Sequence, residues 1–588
     1  MKTMKLKNII LVMSAAAGLT LSSCDNFTDL SPIDTFTDQS YWRTVSDLEL
    51  YANGLYGIMS SPNATLDATS DNFVTNTPEQ YLFDELNVNS YGNWTWGDIR
   101  NCNYFLARYQ TAEGSEAEIN KYVGEVRFFR SILYYAKIRL FGDVPWYDHD
   151  LSTDETDELY KARDPRDFVL GKVIEDLEFA IQWLPAKGEE ASGRINKDAA
   201  RTQLARVCLY FGTYKKYHNE AGSPSAEELL RKAADLTGTM IHSGTYEIVK
   251  APDAGCGQQH FEAYPLDYSN LFVQYDLTGN KEAILARYYE MGVLTHETGR
   301  QVSENGIGLS KDFVESFLMK DGTPIYNAGS GYLGDDDQDL EFAGRDPRIY
   351  QIIDNVNKPF TVQGGDIESH IGNVNPNQGV TGYPCVKFRS ADPLQAEARA
   401  TDYDWFVYRY AEVLLIHAEA KAELGECTQA VLDMTVNKLR DRVDMAHLTV
   451  NPVADAKPID YGYALSSLLY EIRRERRIEL VAEGFRLDDL KRWNAMKLLE
   501  NPKTMFGLKV TPAIRERYAE QNVTFSEEGR PTVTYEGAEY LSPYKDRAFN
   551  DEGRKWDKGG AGTDRRWLYP LPTQQLQLNT NLTQNPGW

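Results

Sequence analysis

Residues 471–493 read EIRRERRIELVAEGFRLDDLKRW. Ile478, Val481, Ala482 and Phe485 fall at i, i+3, i+4 and i+7, the spacing of one apolar helix face. The other positions carry opposite charges at helical spacing: Glu471 with Arg474, Arg476 with Glu479, and Asp488 with Arg492. An exposed pair of this kind contributes only about 0.2–0.5 kcal/mol, so charge this dense exceeds what solubility requires. The residues by themselves read as one helix with an apolar stripe and solvated charged faces.

Similar patterns recur outward from this stretch. Helical periodicity predicts helices over 41–59, 98–109, 124–141, 167–184, 197–217, 226–242, 408–425 and 428–442. In the 124–141 segment Val126, Phe129, Leu133 and Ala136 form the apolar face, Gly142 stops the helix, and Asp143–Val144–Pro145 continues as an extended turn. Paired helices with Ala and aromatic residues at packing positions resemble tetratricopeptide-like repeats, although no strict 34-residue copy recurs. The expected fold is mostly α: a single domain over 41–588 with a helical repeat scaffold at about 41–250 and 405–500. Loop-rich insertions at about 252–404 and 502–565 are expected to carry function, because irregular segments on a rigid scaffold commonly do.

The totals narrow the function. The chain has 588 residues, 36 Tyr, 10 Trp and a formal charge of −25. This acidity, with no basic block, argues against nucleic acid and anionic headgroups as ligands. Cys24, Cys102, Cys208, Cys256, Cys385 and Cys427 are far apart and form no CxxC pair, so neither a zinc site nor a dense disulfide framework is expected. There is no Gly-x-Ser-x-Gly elbow, no His-Glu-x-x-His and no phosphate-binding glycine loop, so no enzyme activity is expected. Asp335, Asp337 and Asp339 offer alternate oxygens that could take Ca²⁺, but the spacing lacks the glycine and terminal Glu of an EF-hand; a solvated acidic loop is the plainer reading, and no cofactor is expected.

Residues 1–23 combine three lysines, a short apolar run and Leu21–Ser22–Ser23 before Cys24. This is the pattern of a lipoprotein signal peptide, with Cys24 lipidated and 24–40 as a polar tether. The strongest ligand signal is Tyr91–Gly–Asn93–Trp94–Thr–Trp96. Flat rings suit the apolar C–H faces of sugars, and amides suit their hydroxyl edges. Trp94 and Tyr91 are expected to be the exposed pair.

Glu-Arg-Arg-Ile-Glu-Leu at 475–480, Glu-Gly-Phe-Arg at 483–486 and Asp-Leu-Lys-Arg-Trp at 489–493 resemble a signature of the SusD/RagB family of Bacteroidetes outer-membrane lipoproteins. So do the segment from Gly124 to Pro145, Arg345–Asp346–Pro347–Arg348 and the closing run from Leu568 to Gly587. The resemblance implies a helical-repeat lipoprotein facing outward at the outer membrane. It would bind glycan and act as the lid of a SusC-like TonB-dependent transporter. A peptide-binding lid of the RagB kind, or a transporter-stabilising subunit with little affinity of its own, are the alternatives. It further implies a packing aromatic at the place of Trp96 and a ligand arc near Asn93–Trp96, to which Asp71, Asn72, Tyr288, Tyr289 and Arg300 are added by position.

Overall fold

The computed structural model describes residues 41–588, apart from 90–91, 252–265, 305, 364–365, 369–378, 521, 546–550 and 561. The signal peptide, Cys24, Tyr91 and Cys256 therefore lie outside the described residues. Among the described residues, no helix is long and apolar enough to cross a membrane.

The scaffold helices start and stop where side-chain chemistry dictates. Helix α1 (Val45–Leu55) opens with a reciprocal cap between Thr44 and Asp47. Helix α2 (Gly97–Leu106) leads to α3 (Glu116–Phe141), which opens on a Ser115–Glu118 box and ends at Gly142, whose φ of 74° is left-handed. Helices α4 (Arg166–Trp183), α5 (Lys197–Tyr217) and α6 (Ala226–Ser243) follow. Asn196 caps α5, and a Ser225–Glu228 box caps α6. After the insertion come α7 (Tyr410–Glu423), α8 (Gln429–Met434) and α9 (Val436–Arg442). Helices α3 to α7 each pack on the next, so the scaffold stacks in chain order, and α7 then meets α10 (Ser467–Glu479).

The 252–404 insertion is loop-rich but not structureless. Strand β1 (Phe73–Thr75) pairs with β3 (Ile307–Leu309), and β2 (Ala283–Arg287) pairs with β6 (Trp405–Arg409), both antiparallel. Antiparallel hairpins β4–β5 (Thr361–Gln363, Asp366–Glu368) and β7–β8 (Thr532–Tyr535, Ala538–Leu541) complete four two-stranded sheets among the described residues. A large core fills the helical scaffold, and a second one gathers Phe272, Phe313, Ile352, Phe388 and Trp405 from the insertion.

The 471–493 stretch joins the two cores, and here the structure differs from the single solvated helix expected. Helix α10 ends at Glu479, and a turn with Ala482 at φ 64° and Gly484 at φ 83° separates it from α11 (Arg486–Arg492). The buried Asp67 carboxylate accepts the backbone N–H groups of Ala482 at 2.8 Å and Gly484 at 3.0 Å, satisfying donors that a broken helix would otherwise orphan. Ile478, Val481 and Ala482 enter the insertion core, whereas Leu480, Leu490 and Trp493 enter the scaffold core. The charges are buried as well. Glu479 accepts from Arg348 at 3.1 Å, Arg409 at 2.8 Å and Arg442, and Glu475 pairs with Arg348 at 2.7 Å and Arg440 at 3.0 Å. Burial pushes the Glu479 carboxyl up, but Arg442, Arg409 and Arg348 outweigh it and hold the group far below the usual carboxylate range. Of the three local pairs expected, only Glu471–Arg474 forms, at 3.3 Å. Arg476 turns to Asp489 at 2.9 Å, and Asp488 turns to Arg139 on α3.

Candidate ligand-binding site

Nine residues were expected to line the ligand arc, and the structure distributes them. Asp71 and Asn72 are buried in the ionic interior. Arg486 makes a two-pronged bond to Asp71 at 2.7 Å, and Arg477 Nε donates to Asn72 Oδ1 at 2.8 Å. Their role is to lock α10 and α11 against the 67–72 turn, which corrects their placement in a binding surface. Tyr289 is buried with its ring 4.6 Å from that of His296, and Tyr288 packs half-buried beside Leu277 and Ala286. Arg300 is exposed and pairs only locally with Glu304, at 2.9 Å. Asp335 is tied to Lys311 at 2.9 Å and Lys509 at 3.1 Å, while Asp337 pairs with Arg517 at 2.9 Å and Asp339 lies 3.9 Å from the same guanidinium. Cations thus take the oxygens considered for Ca²⁺. Among the described residues no group of three His, Cys, Asp or Glu side chains is placed to hold a metal ion.

The Asn93–Trp96 segment does border a cavity of about 560 Å³, but with the tryptophan roles exchanged. Trp94 is 7% exposed and wedges edge-on against Phe141 of α3 at 4.9 Å and against Trp96 at 5.3 Å. Trp96, expected to be the packing residue, is half-buried and lines the cavity with Tyr147, whose ring lies 5.6 Å away. Asn93 is exposed, and its carbonyl accepts from Lys137 Nζ at 2.6 Å. Trp96 precedes α2 without a side-chain cap, so first-turn amides remain as donors at the cavity edge.

The opposite wall was missed in the sequence. Tyr160 is 47% exposed, and Leu159 and Leu578 beside it are exposed as well. Polar groups from Arg100, His149, Ser152, Gln575 and Asn579 complete the lining. Both ring nitrogens of His149 are engaged, to Asp148 and Glu155 at 2.7 Å each, and these bonds raise its pKa. The closing motif holds the Tyr160 loop: Asn581 Nδ2 donates to the Tyr160 carbonyl at 2.7 Å and Asn579 Nδ2 to that of Lys161 at 3.0 Å. Arg163 anchors the same loop by donating to Asn585 Oδ1 at 2.8 Å. The signal available in the sequence was the Asn-rich end itself, but its partner lies more than 400 residues earlier.

Two other cavities, of about 340 and 450 Å³, lie against α10 and α11. Their rings are covered. Arg206 and Arg476 lie over Phe485 at 5.0 and 5.2 Å, and Lys457 lies over Tyr326 at 4.2 Å. Among the described residues no ring or cation stacks on Tyr160, which leaves a bare aromatic face at the larger cavity. The four described cysteines, Cys102, Cys208, Cys385 and Cys427, are all free.

Comparison with known proteins covers both the scaffold and the insertion. A family described as starch-binding and associating with the outer membrane matches residues 37–209, and the SusD family matches 271–588. A SusD-like protein, P2, of Formosa agariphila is 24% identical over 530 residues, covering 86% of this chain and 92% of its own. Among solved structures, a SusD-like protein of Bacteroides fragilis superposes with a TM-score of 0.66 at 23% identity, covering 95% of this chain and all of the other. A laminarin-binding SusD-like protein superposes with a TM-score of 0.54 at 19% identity, covering 93% and 100%. The scaffold, the buried 471–493 signature and a family match over more than half of the residues agree: this chain belongs to the SusD family.

Proposed function

We propose that this protein captures oligosaccharide at the outer membrane, in the cavity between Trp96 and Tyr160, and works by binding rather than chemistry. The observation that carries the reading is the bare Tyr160 face opposite Trp96, flanked by amide and hydroxyl side chains. Rings of this kind lose little entropy on binding, and a pyranose presents the C–H face they match. The description of the matching N-terminal family and the printed specificity of the laminarin-binding neighbour support a glycan as the ligand class. Lipidation of Cys24 would tether the protein at the cell surface, where it would serve as the lid of a SusC-like TonB-dependent transporter. Trp94 and Trp96 build one wall, and Asn93 and Tyr91 adjoin it in sequence.

The test is native affinity electrophoresis of residues 25–588 through gels containing starch, laminarin and other polysaccharides. Retardation by one polysaccharide, abolished in a Trp96→Ala/Tyr160→Ala variant that melts normally, is the expected result. Retardation that survives the double substitution would remove this site. A protein that binds proteolysed polypeptide and no polysaccharide would instead be a peptide-capturing lid.

A further inference from the structure

We propose that Lys137 is the positioning residue of this pocket: its amine, bonded to the Asn93 carbonyl, holds segment 92–96 and the Trp96 ring ready for ligand. The inference rests on the reading of the cavity as the binding site, but its test does not. Lys137 sits on α3 at 8% exposure, and its Nζ reaches the Asn93 carbonyl at 2.6 Å. The same ammonium lies 5.4 Å from the Trp96 ring centre and 6.0 Å from that of Phe141, one helical turn further on. Phe141 in turn grips Trp94 edge-on. Two residues spaced i, i+4 on α3 thus hold the aromatic segment, one through its rings and the other through a backbone carbonyl.

Segment 92–96 has no regular secondary structure, so it depends on such side-chain ties for its conformation. Among the described residues no carboxylate forms an ion pair with Lys137, so the charge is held by a carbonyl and two ring faces alone. The charged groups on the surrounding elements are committed elsewhere or lie at longer range. Asp98 on α2 favours the ammonium from a distance. On the 145–164 wall His149 is held by Asp148 and Glu155, and Lys161 by Glu158 and Asp164. Arg130, on α3 itself, is held by Asp176 on α4. Burial therefore dominates and lowers the Lys137 pKa to about 8; releasing the segment would solvate the amine and raise its proton affinity again, so the tie is not weakened as pH rises. The amine reaches the carbonyl in either protonation state, and the charge assistance lost on deprotonation is offset by the smaller cost of burying a neutral group.

The experiment is amide hydrogen exchange read by mass spectrometry on peptides spanning 92–100, corrected for the intrinsic pH dependence of exchange, at pH 7 and pH 9. Wild type should keep its protection in this peptide at both values. Lys137→Met should be unprotected at both, and Lys137→Arg, which keeps its charge, should stay protected at both. The α1 peptide 45–55 serves as the fold control and should not change in any variant. Wild-type protection in Lys137→Met, or a loss of protection in wild type at pH 9, would overturn the proposal. Retardation of the same proteins by the polysaccharide found above, at the two pH values, links the tie to binding. If no polysaccharide retards the wild type, the carbohydrate reading fails while the exchange data still decide the role of Lys137.

Discussion

The interior around α10 and α11 and the cavity between Trp96 and Tyr160 use the same side chains to opposite ends. Both interleave aromatic rings with cations and carboxylates. In the interior, Arg473 lies over Trp493 at 4.4 Å and Tyr217 at 4.7 Å while bonding Glu423 at 3.1 Å, so ring faces and charges are spent on one another. At the cavity, Tyr160 keeps a face and the amides keep donors. A rich mixture of aromatic and charged residues thus does not mark a binding site; an uncommitted face does.

Breaking the interior should have the largest effect. Glu479→Ala removes one carboxylate that Arg348, Arg409 and Arg442 share; each keeps another acidic partner, but the buried network is left with one positive charge in excess, and breaking such a network costs about 3–5 kcal/mol. Its denaturant midpoint should fall steeply; a midpoint equal to wild type would mean that the ion network contributes nothing to stability. Trp94→Ala comes next. It removes a ring packed on Phe141, with a loss of about 3 kcal/mol from the cavity left behind, and binding falls as a consequence of stability. Tyr160→Ala sharpens the contrast. Its melting temperature should stay near wild type because the ring is half exposed, while polysaccharide retardation falls by about tenfold, equivalent to roughly 1.4 kcal/mol.

A smaller effect distinguishes buried cations that lack carboxylates. Burial lowers both Lys358 and Lys491 to about 7. Lys358 donates to the carbonyls of Gln351 and Val386 at 2.9 and 2.7 Å, and Lys491 lies over Tyr81 and Tyr569 at 5.1 and 4.7 Å. Above pH 7 the folded state has shed these protons while the unfolded chain retains them up to its ordinary lysine pKa. Unfolding therefore takes up protons, and stability rises with pH through this window, by roughly 1 kcal/mol per pH unit for each group. Thermal melts at pH 7 and 9 read the difference, and Lys491→Met should flatten the rise. The least effect belongs to Arg300→Ala, which should change neither melting nor retardation, because only a solvent-exposed local pair is lost.

Much of the scaffold was legible because its determinants are local. The expected 167–184, 197–217 and 226–242 helices appear as Arg166–Trp183, Lys197–Tyr217 and Ala226–Ser243, bounded by caps readable within a few residues. The break after Glu479 was not legible, since the carboxylate that satisfies its turn belongs to Asp67, more than 400 residues away in sequence. The 428–442 helix likewise splits at Thr435, where φ −125° and ψ −95° interrupt the ladder.

The sequence by itself determined the helix positions, the acidic balance, the family and the region of Asn93–Trp96 as a place to look. Only the tertiary structure decided that the signature's charges are buried, that Trp94 is wedged against Phe141 while the half-buried Trp96 faces the cavity, and that Tyr160 lines the same cavity. The reason is range. Periodicity and capping act over one or two helical turns, whereas burial is set by what covers a face. Here the covering contacts join Tyr160 to Asn581 and Arg477 to Asp71 across most of the chain.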